Sequence, residues 1–481
     1  MTYADAIRPV RNKMRKFSYA SVLRQLSAYI GQADVLPPEE RARRLPWVAE
    51  RLCAWVLRDR PSMYSAAPMT SRDLHACMDL AWTQMDTKAT WMRHGNPLSL
   101  TIRTVLLSQV AHQLPHGTGA FARQIDLLRR IRPNTKLYQE LQRALGMLPE
   151  AYLRLAVFFW TAADGRIDEA FSPRYVQALT QAFGREAVVS FLRTVIIPHE
   201  RLESMDVGWV VEDEWFQPNL LYRTPFTFYR GERFYWGRAC LQRNIEFAFS
   251  DIVGRSLDDA ARRTFEDAFE EYVGESLRRC CPLVLSEKEL VTRFDVTGPC
   301  NDFAVLGDNY VVLVEAKNKA LTHTMTATGT VKTYQSKFKN TVVKAAGQLD
   351  NVAKHVRADA QFSDAQVYRV VVTYGDLMLG NAEYLFDTET VPEIPLVLSI
   401  DQLDRLGEVV RLGRCQIDEF FQDYRKRQEA PQTRLFSPGQ LLSEPKYRLS
   451  EQPKYLEDIL NPFFDGMRAL EVMDTANTLD E

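Results

Sequence analysis

Residues 302–317 read DFAVLGDNYVVLVEAK. Phe303 to Leu306 is apolar, and Tyr310 to Val314 is a β-branched run of the kind that fills a buried strand. Gly307, Asp308 and Asn309 between them are turn residues. The stretch predicts a β-hairpin whose second strand ends in Glu315, Ala316 and Lys317. Side chains alternate along a strand, so Glu315 and Lys317 share a face. Antiparallel pairing brings Asp302, at the start of the first strand, beside Glu315, at the end of the second. Two carboxylates and an ammonium then meet at one end of a sheet. Carboxylate oxygens suit a hard cation such as Mg²⁺. A neighbouring lysine can steady an attacking water or the charge developing on a phosphate.

The segments around this hairpin extend the pattern. Leu257, Ala261, Phe265, Phe269, Val273 and Leu277 recur every four residues, the apolar stripe of one amphipathic helix. Ser256 and Asp259 are its expected cap. Glu266 and Glu270 lie on its flank, with Glu271 and Glu275 beyond. Downstream, Val342, Ala346, Leu349, Val352 and Val356 mark a second helix, with Lys344 and Gln348 four apart on one side. Strands are expected at Tyr368 to Thr373 and at Leu396 to Ile400, then a long helical stretch to about Gln428.

Asp302, the Glu315-Ala316-Lys317 triplet and this order of helix, hairpin, helix and strand resemble the PD-(D/E)xK nuclease superfamily. The upstream segment Phe269-Glu270-Glu271-Tyr272-Val273 and the downstream Lys344-Ala345-Ala346-Gly347-Gln348-Leu349 resemble the two helices that flank that site. One departure is visible: the expected proline before Asp302 is absent, with Asn301 in its place and Pro299 earlier. The resemblance covers about residues 255–410, roughly a third of the chain and a plausible length for one domain. It implies a restriction-endonuclease-like core, a central mixed β-sheet flanked by helices. It also implies a Mg²⁺ (or Mn²⁺) site on Asp302, Glu315 and the backbone carbonyl of Ala316, with Glu270 as a further ligand. Lys317 would then be catalytic, with Glu270 and Gln348 as its supports.

From Glu315 to Arg357 the chain is basic. Lys319, Lys337, Lys339 and Lys344 are candidates to meet a phosphate backbone next to the metal site. The threonine-rich run from Leu321 to Thr333, with His323, reads as a loop over that site.

The whole chain has 481 residues, room for about two to four domains. A formal net charge of −2 means that any nucleic-acid surface is a local patch, not a global field. The seven cysteines show no CxxC spacing, and Cys280 and Cys281 are adjacent. That pattern, with no apolar signal core at the start, predicts a reducing, cytoplasmic setting without structural zinc or membrane. No Walker-type Gly-Lys-Ser/Thr loop encodes a nucleotide motor.

The fold class expected is thus a multidomain mixture of α and β. A mainly helical region spans 1–204, a connector with a β-hairpin 205–254, the nuclease-like core 255–430, and a C-terminal arm 431–481. In the helical region His112 and His116 are four apart, but Pro115 lies between them and no third ligand accompanies them, so they read as a surface or core pair. In the connector, aromatics alternate with Arg223, Arg230, Arg233 and Arg238 around a turn at Gly231. Such a hairpin can stack bases or can be half-buried with its arginines reaching out. The arm repeats itself, EPKYRLSE at 444–451 and QPKYLE at 452–457, and reads as an extension packing on the body or on a second subunit.

The function expected from these readings is metal-dependent hydrolysis of phosphodiester bonds, in DNA first, by an endonuclease. The helical region would serve regulation, target recognition or a protein partner, and a homodimer would cut two strands. By analogy alone this fits a bacterial defence effector. The rival reading is an inactive nuclease-fold module that binds nucleic acid or a partner protein.

Overall fold

The computed structural model describes residues 3–88, 100, 109, 112, 117–165, 169–204, 220–222, 224–256, 258–320, 331–379, 383–386, 393–430, 432–433 and 437–462. His116, Arg223, Leu257 and the 321–330 part of the expected loop, with His323, lie outside these residues, and the rest of that loop, from Val331, is the start of the helix Val331–Phe338. The fold is mixed α/β, with helices through most of the described residues up to Val195. Among the described residues no helix is long and apolar enough to cross a membrane.

A first apolar core gathers the helices Tyr19–Asp34, Pro46–Arg58 and Ser71–Lys88 around a small sheet. Its strands are β1 (Ile196–Pro198), β2 (Phe226–Tyr229) and β3 (Glu232–Tyr235), with β1 parallel to β2 and β2 antiparallel to β3. The β2–β3 turn falls at Arg230 and Gly231, both at positive φ, as a tight two-residue hairpin requires. Phe226, Tyr229, Phe234 and Trp236 are buried. Arg233 lies over the ring of Phe171 at 4.3 Å. These four aromatics therefore pack within the protein, while Phe228 between them is exposed. His112 is also in the interior, its Nε2 3.2 Å from Glu50.

The second sheet has five strands in sequential order: β4 (Val284–Ser286), β5 (Phe303–Leu306), β6 (Tyr310–Lys317), β7 (Gln366–Thr373) and β8 (Leu396–Ser399). The pairs β4–β5 and β5–β6 are antiparallel, and β6–β7 and β7–β8 are parallel. Gly307 is needed in the β5–β6 turn, because a Cβ there would fall 2.2 Å from the Tyr310 ring.

Alternation along these strands feeds two cores. Phe303, Val305, Val312, Val314, Val370 and Val372 face the helix Asp259–Cys280. Ala304, Leu306, Val311, Leu313, Val367 and Val371 face the helix Lys344–Ala358. The helix Asp259–Cys280 shows the expected stripe, but Asp258 caps it in place of the Ser256–Asp259 pair, accepting from the N–H groups of Ala260 and Ala261. Gly274 lets this helix approach the sheet: a Cβ there would lie 2.6 Å from the Phe303 ring. The long helical stretch expected after β8 is two helices, Ile400–Arg411 and Ile417–Glu429. They are broken near Gly413, which adopts a positive φ.

A buried polar network joins the helical region to this layer. Arg123, on the helix Gly119–Arg130, donates through Nε to Asp404 at 2.7 Å and also pairs with Asp401. Asp404 further accepts from Tyr272 at 2.9 Å and from Ser276 at 3.3 Å. The C-terminal arm packs on the body, and its two PKY copies end in similar contacts. The Tyr447 hydroxyl donates to Asp423 at 2.6 Å, and the Tyr455 hydroxyl meets that of Tyr272 at 2.9 Å.

Removing one partner of a buried pair strands the other charge, a loss of about 3–5 kcal/mol. Arg123→Ala and Asp404→Leu are each expected to lower the unfolding free energy by about that much. The double variant should lose less than the sum of the two. Urea denaturation of the three variants checks this, and single losses under about 1 kcal/mol would show that the network is dispensable.

Candidate active site at the end of the five-stranded sheet

The register builds a row of carboxylates. Phe303 pairs with Val314, so the position before it, Asp302, lies opposite Glu315. Ser286 pairs with Phe303, so the position after it, Glu287, lies on the other side of Asp302. Asp302 and Glu315 thus face each other across two strands, and Glu287, the first residue of the helix Glu287–Phe294, follows β4 beside them. Asp302 is fixed by accepting from the Ala316 N–H at 2.7 Å. Glu315 is fully buried, and its Oε1 takes an ion pair from Lys317. Its Oε2 is buried with no hydrogen-bond partner.

Asn301 holds the mouth of the hairpin. Its amide donates to the carbonyls of Phe303 at 2.6 Å and Val314 at 3.2 Å, one on each strand. From the helix below, Gln348 donates to the Cys300 carbonyl at 2.8 Å. The amide oxygens of Asn301 and Gln348 are also buried without partners. Gln348 therefore anchors the segment entering Asp302 and retains one acceptor.

Glu270 comes from the other layer. It lies one helical turn before Gly274, where the helix touches Phe303, and this brings it within electrostatic reach of Asp302. Burial, then the charges of Asp302 and Glu287, push its carboxyl up to about 7, against the pull of Lys317. Burial and Asp302 likewise push Glu315 up to about 7, with Lys317 opposing. Burial is also the main reason that Asp302 sits above the usual carboxylate range. Crowded carboxylates shift in this way when one cation serves several of them.

The structure thus brings together Asp302, Glu315, Lys317 and Gln348 on one side of the sheet end, with the Ala316 backbone between them and Glu270 reaching in from the other. Lys319 follows at the same end. Lys337, Lys339 and Lys344 are exposed on the next helical segments, where a π turn over Lys339–Val343 separates the helix Val331–Phe338 from Lys344–Ala358. Glu287 escaped the sequence reading, because its place depends on the pairing of a three-residue strand that periodicity does not reveal.

Among the described residues no three His, Cys, Asp or Glu side chains form a ready metal-binding group. Lys317 supplies the positive charge of the row. The unpartnered Oε2 of Glu315 is the observation that fits a further cation or water, and the all-oxygen donors suit a hard divalent ion. No family model matches the chain, and neither a curated protein nor a solved structure is a match for it.

The raised carboxyls set a pH dependence. Glu270 and Glu315 keep protons in the folded chain up to about pH 7. The unfolded chain releases them near pH 4.3. Between those values the folded state binds more protons, so its stability falls as pH rises. Urea denaturation in EDTA is expected to show wild type losing stability from pH 5 to 7.5, and Glu315→Gln losing less. An equal loss in both would contradict the assignment.

Proposed function

We propose that this chain is a metal-dependent nuclease of the PD-(D/E)xK type that hydrolyses phosphodiester bonds, with DNA as the favoured substrate. The observation that carries this is the fully buried Glu315, opposite Asp302 and paired with Lys317, with one carboxylate oxygen unpartnered. Burying such a carboxylate is costly unless its charge is used.

Asp302, Glu315 and the Ala316 carbonyl would hold Mg²⁺ or Mn²⁺, with Glu270 as a further ligand. Such an ion, when bound, neutralises charge on the scissile phosphate and makes water more acidic. Lys317 stabilises charge building on the phosphate or orients the attacking water. Glu270, with its carboxyl at about 7, is suited to hold or release a proton at neutral pH. Gln348 and Asn301 keep Asp302 in place through the Cys300, Phe303 and Val314 carbonyls. Lys319, Lys337, Lys339 and Lys344 meet the phosphate backbone. The helical region serves recognition or a protein partner, and a homodimer would supply a second site for the second strand.

A second reading is an inactive module that binds nucleic acid. The lack of a ready three-ligand group among the described residues favours it, with Lys317 neutralising Glu315 permanently.

A cleavage assay separates the two. The purified chain, given supercoiled plasmid, linear duplex, single-stranded DNA or RNA, is expected to cut with Mg²⁺ or Mn²⁺ and not in EDTA. Asp302→Ala and Lys317→Ala should each lower the rate by about a hundredfold or more. Wild type that neither cuts nor binds Mn²⁺ would remove the nuclease reading and leave the binding module.

A further inference from the structure

Lys319 leaves the sheet two residues beyond Lys317, and its backbone is held on both sides. Its N–H donates to the Lys317 carbonyl at 2.6 Å, and its carbonyl accepts from the Gly375 N–H at 3.0 Å, just past the end of β7. Its side chain is partly buried. A lysine that gives up water is ordinarily matched by a carboxylate. Lys317 has Glu315, and Lys354 has Asp350 at 2.9 Å. The charge that acts on Lys319 is instead another cation, Lys337.

Lys337 is on the last turn of the helix Val331–Phe338. Tyr334 and Phe338 of that helix are fully buried in a cluster with Leu377 and Leu379, which follow β7. The helix is thus anchored beside the strand end that grips the Lys319 carbonyl. Lys337 acts electrostatically on Lys319 there, and among the described residues neither ammonium makes an ion pair with a carboxylate. Their repulsion is relieved by an anion that both can reach.

We infer that Lys319 and Lys337 form a second phosphate subsite, which holds the phosphate next to the scissile one along a nucleic-acid strand. This rests on the reading of Asp302, Glu315 and Lys317 as the site of the scissile phosphate. It narrows the substrate class to polynucleotides: a lone phosphodiester fills one site and leaves the other without its anion. The π turn after Phe338 places Lys339 and Lys344 on a separate helical phase, as reserves for more distant phosphates.

The test has a binding arm and a cleavage arm on the full chain. In EDTA, binding of a fluorescein-labelled 20-nucleotide single-stranded DNA is followed by anisotropy at several KCl concentrations. In Mn²⁺, kcat/KM is measured on the same DNA and on bis(4-nitrophenyl) phosphate, which offers one phosphate only. For Lys319→Ala/Lys337→Ala, the slope of log affinity against log salt is expected to flatten by roughly 0.7, one phosphate on a single strand. The ratio of kcat/KM on DNA to that on the small diester should fall at least tenfold. Lys319→Arg/Lys337→Arg should restore both, and Lys354→Ala, whose partner is Asp350, should change neither.

An unchanged slope in the double alanine variant, or no salt-dependent binding by wild type, overturns the subsite. A flattened slope with an unchanged cleavage ratio overturns its place next to the scissile phosphate. A slope flattened in the variant, when neither wild type nor variant cleaves, supports the phosphate site and overturns the nuclease reading alone.

Discussion

Arg123 and Asp404 are both almost wholly buried, and neither charge is tolerable in the interior without the other. Asp404 accepts from Arg123, Tyr272 and Ser276, so its oxygens are well supplied with donors. These partners come from the helical region and from the helix Asp259–Cys280, while Asp404 itself sits on the helix after β8. The network therefore does what a purely apolar interface does poorly: it fixes how each helix is rotated. Tyr272 lies two residues after Glu270 on the same helix. With Tyr272 tied to Asp404 and Gly274 pressed on Phe303, Glu270 has one place to go, toward Asp302.

At the other end of that chain of constraints is a row of acids that the fold gathers at a cost. Asp302 and Glu315 are neighbours in register, Glu287 opens the helix after β4 beside them, and Lys317 is the cation that offsets the innermost of them. Burial first, and then the charge of Asp302, raise the carboxyls of Glu270 and Glu315. A core built for stability alone would place valine at 315, as the strand does at 311, 312 and 314. The sheet instead gives a fully buried position to a carboxylate with one oxygen unsatisfied, a cost to stability.

The hairpin and the strands after it were legible because their signals are local. A β-branched run bounded by Gly307, Asp308 and Asn309 has few other solutions, and the period of two alone puts Asp302, Glu315 and Lys317 on one face. The stripe of the helix Asp259–Cys280 was legible for the same reason, though its cap was misplaced by one neighbour: Asp258 competes with Ser256, and only the turn geometry chooses. Glu287 was illegible because it follows a strand of three residues, recognisable only by its partner β5. The aromatics of β2 and β3 were ambiguous, since burial and exposure use the same alternation. Tyr229 and Phe234 point inward under the helices of the first core, Phe226 packs into the larger core, and Phe228 stays exposed. The unpartnered oxygens of Asn301, Glu315 and Gln348 carry no sequence signal, since they are properties of what surrounds them.

The paired PKY segments of the arm bear on the order in which the molecule is made. Tyr455 contributes its hydroxyl to the Tyr272–Asp404 network, yet it emerges from the ribosome long after residues 302–317. Until then the helix that carries Glu270 lacks one of its anchors, and Asp423 waits likewise for Tyr447. A nascent or prematurely terminated chain thus holds the acidic row without the clamp that aligns it. The alignment of the acidic row therefore draws on two tyrosines that lie more than a hundred positions along the chain from it.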